Sequence, residues 1–321
     1  MQLNGLHHVT AITAQAARNV DFYTRVLGMR MVKKTVNQDD VSAYHLFYAD
    51  AFGSPGTDVT FFDWPQVAKN RNGAGSIARV ALRVSGQVAL EWWKRRLDDS
   101  GVAHSGIIEE NAQGQIHFAD PEGLELALVD DQGAPGGVPW DRSPVPVDMG
   151  IRGLQAVMLA VRNIEPLATV LTEVLGFRKA REHSVEDRSV GHGLLTVFEM
   201  GEGGAGAEVS VLQSPGMVSG RQGYGGLHHV AFRVPDDAEH QQWQQRIARA
   251  GLGVTQVIDR FYFKSIYFRV PESILFEIAT DGPGFAADEN VEHLGERLAL
   301  PPFLEPQRAE IEANLHPLET A

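Results

Sequence analysis

The sequence has no cysteine. That absence excludes disulfides, thiolate metal sites, cysteine-ligated iron–sulfur clusters and cysteine nucleophiles. Long apolar runs are also missing: none approaches the ~18 residues of a membrane span. Positive charge is scarce, with 28 Lys and Arg against 41 Asp and Glu, a formal net charge of −13. A chain this acidic is a poor candidate for binding a phosphate backbone or an anionic membrane. The opening run Met1-Gln2-Leu3-Asn4-Gly5 has neither a basic stretch nor an apolar one. The expectation is a cytoplasmic protein without a secretory leader, with neither nucleic acid nor membrane as a partner. What is present is ordinary for a globular protein: 43% hydrophobic residues in 321. That length suggests about two domains at ~150 residues each.

Four segments of the chain open alike. They begin Gly5-Leu6-His7-His8-Val9, Ser76-Ile77-Ala78-Arg79-Val80, Gly153-Leu154-Gln155-Ala156-Val157 and Gly226-Leu227-His228-His229-Val230. With His8, Arg79, Ala156 and His229 taken as equivalent, the intervals are 71, 77 and 73 residues. Such near-constant spacing marks an internal repeat. Each opening is short, apolar and β-branched, which reads as a strand. An amphipathic helix follows each. Its apolar stripe is Val20, Tyr23 and Leu27 in the first module, and Ala89, Trp93 and Leu97 in the second. It is Leu167, Val170, Leu171 and Val174 in the third, and Trp243 and Ile247 in the fourth. Gly28, Gly101, Gly176 and Gly251 stand at the stops. Strand-like runs come next, including 44–48, 59–62, 194–199 and 265–270. The unit reads β-α-β-β-β, four times over, an α+β chain.

The stretch 130–147, rich in Pro, Gly and Asp, is the best linker. It divides 1–145, holding modules one and two, from 150–284, holding modules three and four. The rest, 285–321, reads as a tail in which Arg308, Ile311 and Leu315 suggest one short helix. The glycine-rich run 201–206 reads as a hairpin loop, since it lacks the strand–loop–helix setting of a phosphate cradle.

The repeats inform most where they disagree. A histidine pair stands on the first strand of modules one and four only. Side chains alternate across a strand, so one histidine of each pair is expected to face a shared cavity. The last strand of module four alone carries a carboxylate, Glu277, inside the apolar run Ile274-Leu275-Phe276-Glu277-Ile278. Aligned without gaps, Glu277 falls on Ala127 of module two and Phe61 of module one. A two-residue slip would instead bring Glu125 onto its face. Burying a carboxylate is costly unless it is paired or binds a cation. Glu277 could pair with Arg260 or Arg269. Two imidazoles and one carboxylate, however, form the facial triad suited to non-haem Fe(II), and also accept Mn(II) or Zn(II). No other histidine shows such a coincidence. His45 and His117 read as packed strand residues, and His104, His183, His192, His240, His293 and His316 as loop or surface residues.

The four modules with a His–His–Glu set resemble the vicinal oxygen chelate superfamily, which includes glyoxalase I, bleomycin-resistance proteins and type I extradiol dioxygenases. Several runs look more narrowly like the hydroquinone-cleaving ring dioxygenases. They are Leu6-His7-His8-Val9-Thr10, Asn19-Val20-Asp21-Phe22-Tyr23, Val32-Lys33-Lys34-Thr35-Val36-Asn37, Tyr44-His45-Leu46-Phe47-Tyr48, Gly53-Ser54-Pro55-Gly56-Thr57, Leu90-Glu91-Trp92-Trp93 and Gly226-Leu227-His228-His229-Val230-Ala231-Phe232. The resemblance spans nearly the whole chain.

It implies two tandem vicinal-oxygen-chelate domains with cupped mixed sheets. It also implies Fe(II) held by His8, His229 and Glu277, and a small aromatic substrate opened with dioxygen; a homo-oligomer stays open. In the catechol-cleaving relatives the ligands come from modules three and four, where this chain has Ala156. Tyr267, ten residues before Glu277, matches a tyrosine that hydrogen-bonds substrate or oxygen. Arg260 matches a substrate-side arginine that could equally pair with Asp259 or another surface carboxylate. His7 and His228 match neighbouring histidines, which alternation turns away from the metal unless the strand is bulged. Lys264 departs from the acidic residue of the halohydroquinone-cleaving enzymes, which counts against chlorinated substrates. Two rival readings use the same fold. A glyoxalase-type isomerase needs a second glutamate on the last strand of module one, which reads Val59-Thr60-Phe61-Phe62-Asp63. A metal-free binding protein would sequester a quinone or drug.

Overall fold

The computed structural model describes residues 1–110 and 112–318. Module one holds β1 (Leu6–Thr13), α1 (Ala16–Asp21), β2 (Arg30–Asn37), β3 (Asp40–Ala49) and β4 (Asp58–Asp63). Module two holds β5 (Ser76–Val84), α2 (Gly86–Asp99), β6 (His104–Glu110), β7 (Gln113–Ala119) and β8 (Glu125–Asp130). Module three holds β9 (Leu154–Val161), α3 (Glu165–Thr169), β10 (Arg178–Asp187), β11 (Gly191–Glu199) and β12 (Glu208–Gln213). Module four holds β13 (Gly226–Val234), α4 (Asp237–Arg249), β14 (Ile258–Asp259), β15 (Lys264–Arg269) and β16 (Leu275–Thr280). The repeat read from the sequence is therefore present four times. In modules one and three the helix widens into a π-helical turn, Phe22–Val26 and Val170–Val174. The tail forms α5 (Arg308–Asn314).

The strands build two cupped mixed sheets of eight. One has the order β14-β15-β16-β13-β1-β4-β3-β2, the other β10-β11-β12-β9-β5-β8-β7-β6. Backbone hydrogen bonding thus joins modules one and four in the first sheet and modules two and three in the second. This grouping cuts across chain order. At the centre of each sheet two first strands meet antiparallel, β1 on β13 and β5 on β9. Each then pairs parallel with the last strand of its own module. All eight residues of β1 are buried, as a central strand requires.

The helices close the outer faces through the stripes visible in the sequence. Ala89, Leu90, Trp93 and Leu97 are buried on α2, and Trp243 and Ile247 on α4. His240, expected at the surface, is buried on α4 instead and meets the Ile278 carbonyl at 2.9 Å. Two carboxylates tie the sheets together. Glu122, in the turn before β8, accepts from the Ala14 N–H (3.0 Å) and Thr13 Oγ1 (2.5 Å). Glu272, its counterpart before β16, accepts from the Arg162 N–H at 2.6 Å.

The tail folds back over the first sheet. Lys33, fully buried on β2, pairs with Asp288 at 2.7 Å and with Glu289. The Tyr262 hydroxyl donates to Asp288 at 2.8 Å, and Tyr44 on β3 donates to the His316 carbonyl at 3.0 Å. The Tyr262 bond braces the loop 260–263, which forms one wall of the cavity described next. No helix among the described residues is long and apolar enough to cross a membrane.

Candidate metal centre and its cavity

The site lies in the first sheet, where β1 and β13 run side by side. Both strands are irregular there. In the β1–β13 register Leu6 faces Phe232 and His8 faces Ala231, so His7 is an extra residue; Thr10 faces His229 and Ala11 faces Leu227, so His228 is another. An extra residue of this kind is a β-bulge, which re-aims side chains locally. The second sheet carries the same irregularities, skipping Ala78 and Gln155. The bulges therefore belong to the fold, and only the first sheet places histidines on them.

His8 Nε2, His229 Nε2 and Glu277 Oε2 converge. His229 lies 2.9 Å and His8 3.3 Å from Oε2, and the two Nε2 atoms are 3.4 Å apart. These three residues are the group of potential metal-ligating side chains found among the described residues, and each is buried. Glu277 sits on β16 opposite Ala231 and Tyr267. Its other oxygen accepts a hydrogen bond from Ser265 at 2.5 Å. Neither arginine weighed as its partner reaches it: Arg260 pairs with Asp39, and Arg269 donates to the Ser273 carbonyl.

The donor set fits a divalent cation. Glu277 is 0% exposed and Oε2 has no hydrogen-bond partner among the described residues. Burial pushes its pKa up, but His8 and His229 outweigh this and hold it well below the usual carboxylate range. Burial also lowers the pKa of His229, against the pull of Glu277. The arrangement is therefore one anionic oxygen and two imidazole nitrogens pointing at a common centre.

The preceding histidines set the tautomers. His7 Nε2 lies 3.1 Å from the Thr280 carbonyl, which only accepts, so Nε2 carries the proton. His7 is neutral, its pKa lowered to about 3 by burial and then by His8. Its Nδ1 is then an acceptor, and lies 2.8 Å from His8 Nδ1, which must donate. That leaves Nε2 as the His8 nitrogen that faces the centre. On the other side His228 Nδ1 lies 2.8 Å from His229 Nδ1. His228 too is held to about 3, by burial and then by His229. The bulges thus place His7 and His228 behind the ligand histidines rather than turned away from them.

The remaining sequence candidates line the same cavity. Tyr267 packs edge-on to His229, with ring centres 5.7 Å apart. Burial, then Glu277, raises its pKa, so its hydroxyl stays protonated. The Arg260 guanidinium lies 5.5 Å over the Tyr267 ring and pairs with Asp39 through both nitrogens, at 3.1 and 2.8 Å, not with Asp259. Phe263 packs against His7 and His8, and Phe62 against His228 and His229. Lys264 pairs with Asp237 on α4 and does not line the cavity.

Two members escaped the sequence reading. Strand pairing makes Thr60, not Phe61, the counterpart of Glu277, because Thr60 faces Thr10 as Glu277 faces Ala231. Thr60 Oγ1 is 2.8 Å from Thr10 Oγ1 and 3.0 Å from His45 Nε2. His45 therefore lines the cavity instead of merely packing on its strand. The alternation His45-Leu46-Phe47, with Leu46 facing the core, was the available signal.

At the equivalent centre of the second sheet stand Arg79, Ala156 and Ala127. Arg79 forms a buried ion pair with Asp187 and lies 3.3 Å from His117. Glu125, the slip alternative, starts β8 and pairs with Arg188 at 2.6 Å.

Comparison with known proteins agrees with this architecture. Residues 5–128 and 153–283 match the glyoxalase family, described as the Glyoxalase/Bleomycin resistance protein/Dioxygenase superfamily. A Bacillus subtilis (strain 168) protein named "Putative ring-cleaving dioxygenase MhqA" is 46% identical over 320 residues, covering 99% of this chain and 100% of that one. The "Chlorohydroquinone/hydroquinone 1,2-dioxygenase" of Sphingobium indicum is 31% identical, covering 97% of this chain and 95% of that one. A crystal structure titled as a "putative dioxygenase" from Bacillus subtilis superposes with a TM-score of 0.88 at 36% identity, covering 100% of this chain and 99% of that one. The chain belongs to the Glyoxalase/Bleomycin resistance protein/Dioxygenase superfamily.

Proposed function

We propose that this protein is an Fe(II)-dependent dioxygenase that opens a hydroquinone-type dihydroxybenzene with dioxygen. The observation that carries the reading is the facial set of His8 Nε2, His229 Nε2 and Glu277 Oε2 at the floor of an aromatic-lined cavity. Three ligands on one side would hold a divalent metal and leave it accessible to substrate and dioxygen from the cavity. The names of the relatives support the same reaction class. Thr60 at the counterpart of Glu277 weighs against a glyoxalase-type isomerase, which would want a second carboxylate there.

In this reading His8, His229 and Glu277 hold the metal. When bound, it supplies Lewis acidity toward a phenolic oxygen and the electron exchange that dioxygen chemistry needs. The protein supplies the rest. Phe62 and Phe263 flank the histidine floor and exclude water from it. Tyr267, kept protonated, donates a hydrogen bond where negative charge grows on substrate oxygen. Arg260, anchored by Asp39, holds the Tyr267 ring in place and keeps positive charge beside it. His7 and His228 orient the ligand rings.

The test is oxygen uptake by protein reconstituted anaerobically with Fe(II) and offered hydroquinone, methylhydroquinone, chlorohydroquinone and catechol in parallel. Uptake with hydroquinones but not with catechol is expected. No uptake with any of them, in protein shown to hold iron, overturns the reading.

A further inference from the structure

We infer that His45 receives the ring hydroxyl remote from the metal, so that the cavity selects diols whose hydroxyls lie para to one another. The inference rests on the function proposed above and adds a residue and a substrate geometry to it.

The pseudo-twofold relation of the first sheet leads to His45. It matches His8 with His229, Thr60 with Glu277, Phe47 with Tyr267 and His45 with Ser265. On one side Ser265 backs the carboxylate. On the other, Thr60 leaves the fourth corner without an ionic ligand, and His45 stands behind it at 3.0 Å. His45 therefore lines the cavity on the side of Thr60, where the first sheet supplies no ionic group.

Its ring is firmly held. Phe47 and Phe62 pack on it with ring centres 4.0 and 4.5 Å away. Its Nε2 is engaged by Thr60, which Thr10 holds from the other side. Its Nδ1 has no hydrogen-bond partner among the described residues. Burial and the neighbouring His8 keep the ring neutral, so Nδ1 can accept or donate according to tautomer.

Tyr267 also lines the cavity and is assigned above to the substrate oxygen where charge grows; several further polar groups are engaged within the protein. Arg260 is taken by Asp39, Gln38 by the Arg260 carbonyl at 2.9 Å, and the Asn37 side chain by the Asp39 N–H at 2.9 Å. Thr35 Oγ1 lies beside the Tyr262 hydroxyl, which itself donates to Asp288. A 1,2-diol can place both oxygens on one cation. A 1,4-diol cannot, because its oxygens lie at opposite ends of the ring. Its second hydroxyl needs a protein partner inside an aromatic box, where an unpaired polar group is costly. His45 Nδ1 meets that need.

The experiment is anaerobic equilibrium binding to Fe(II)-loaded protein of two ligands of nearly equal shape, hydroquinone and 4-methylphenol. Wild type, His45→Phe, His45→Leu and His45→Gln are compared, with iron content and thermal midpoint measured on each. Wild type is expected to prefer hydroquinone. His45→Phe and His45→Leu should each lose about tenfold of that preference, the worth of one buried hydrogen bond. The loss should fall on hydroquinone while 4-methylphenol is unchanged, and His45→Gln should retain part of the preference. A preference kept in both Phe and Leu variants overturns the inference. So does an equal weakening of both ligands, which would make His45 a wall of the cavity only. Should one of these two variants fail to fold, the other decides. Wild-type protein that holds iron but neither binds hydroquinone nor takes up oxygen overturns the dioxygenase reading as well. Uptake by wild type with unaltered selectivity in the variants overturns this inference alone.

Discussion

His7 and His8 face each other through their Nδ1 atoms, 2.8 Å apart, although they are neighbours on one strand. Only the bulge at His7 permits this, since regular alternation would send them to opposite faces. The contact makes a short relay from the Thr280 carbonyl through His7 to His8, whose Nε2 faces the metal centre. Removing the acceptor behind a ligand histidine commonly costs 10- to 100-fold in metal affinity. His7→Ala should therefore weaken Fe(II) binding by about that factor while leaving the fold intact. Among the described residues His228 has no hydrogen-bond anchor on its Nε2 comparable to Thr280, so His228→Ala should cost less. Competition with a chelator of known affinity measures both. An unchanged affinity in His7→Ala would remove the relay from the account.

The four modules were legible because their periodicity is local. Strand openings, apolar helix stripes and helix-stopping glycines recur at nearly constant spacing, and the structure returns every one of them. The convergence of His8, His229 and Glu277 was legible because they break a pattern that the other modules keep. The orientation of His7 and His228 was not legible, because a bulge is a property of strand pairing and its signal in the sequence is weak. The same limit hid Thr60. Counting from Pro55 gives Phe61, and only the register with β1 moves the counterpart by one residue. His45 was missed because its partners come from β4 and from the aromatic wall. Arg260 found Asp39 rather than the adjacent Asp259 because loop 260–263 folds toward the end of β2.

Arg79 occupies in the second sheet the place His8 holds in the first, and the two should fail in opposite ways. His8→Ala removes a ligand, so iron content should fall to near zero while the metal-free protein keeps its stability. Arg79→Ala leaves Asp187, whose side chain is 2% exposed, with one oxygen lacking a counterion. Breaking a buried pair from one side costs about 3–5 kcal/mol. Asp187 keeps the Ser189 and Val190 N–H groups on its other oxygen, at 2.8 and 3.1 Å, which favours the lower end. Iron stoichiometry should be unchanged, since the pair belongs to the other sheet. Denaturant unfolding and metal analysis on the two variants check this. Loss of iron in Arg79→Ala without loss of stability would contradict it.

Gly28 and Gly176 end equivalent helices, with φ of +68° and +75°. Any other L-residue is strained there by ~1–2 kcal/mol. Their surroundings differ. A Cβ on Gly28 would lie 2.5 Å from both Ser143 Oγ and Val145 Cγ2 of the linker, whereas a Cβ on Gly176 meets nothing within 4 Å. Ser143 also donates to the Gly28 carbonyl at 2.7 Å. Gly176→Ala should cost only the backbone strain. Gly28→Ala should cost that plus ~1–3 kcal/mol for displacing packed atoms. The difference between the two urea midpoints isolates the contribution of the linker. Equal costs would mean that 143–145 moves aside freely.

Asp120 turns the chain before β8. Its Oδ1 accepts from the Glu122, Gly123 and Leu124 N–H groups at 2.8, 2.9 and 2.9 Å. Those bonds favour the ionised form, but burial opposes them and wins, with Glu122 adding repulsion, so the carboxyl is pushed up to about 6. In the unfolded chain an aspartate titrates near ~3.9. Between these values the folded state binds the extra proton, so stability must fall as pH rises from about 4 to about 6. The full span corresponds to roughly 3 kcal/mol as an upper bound. Asp120→Asn keeps an acceptor for the three N–H groups and cannot ionise. Its stability relative to wild type should therefore rise by ~1–3 kcal/mol between pH 4 and pH 7. Urea unfolding of the metal-free proteins at the two pH values measures this without interference from ligand protonation. A pH-independent difference would show that Asp120 ionises in the folded protein as it does in the unfolded one, and that its three N–H donors offset its burial.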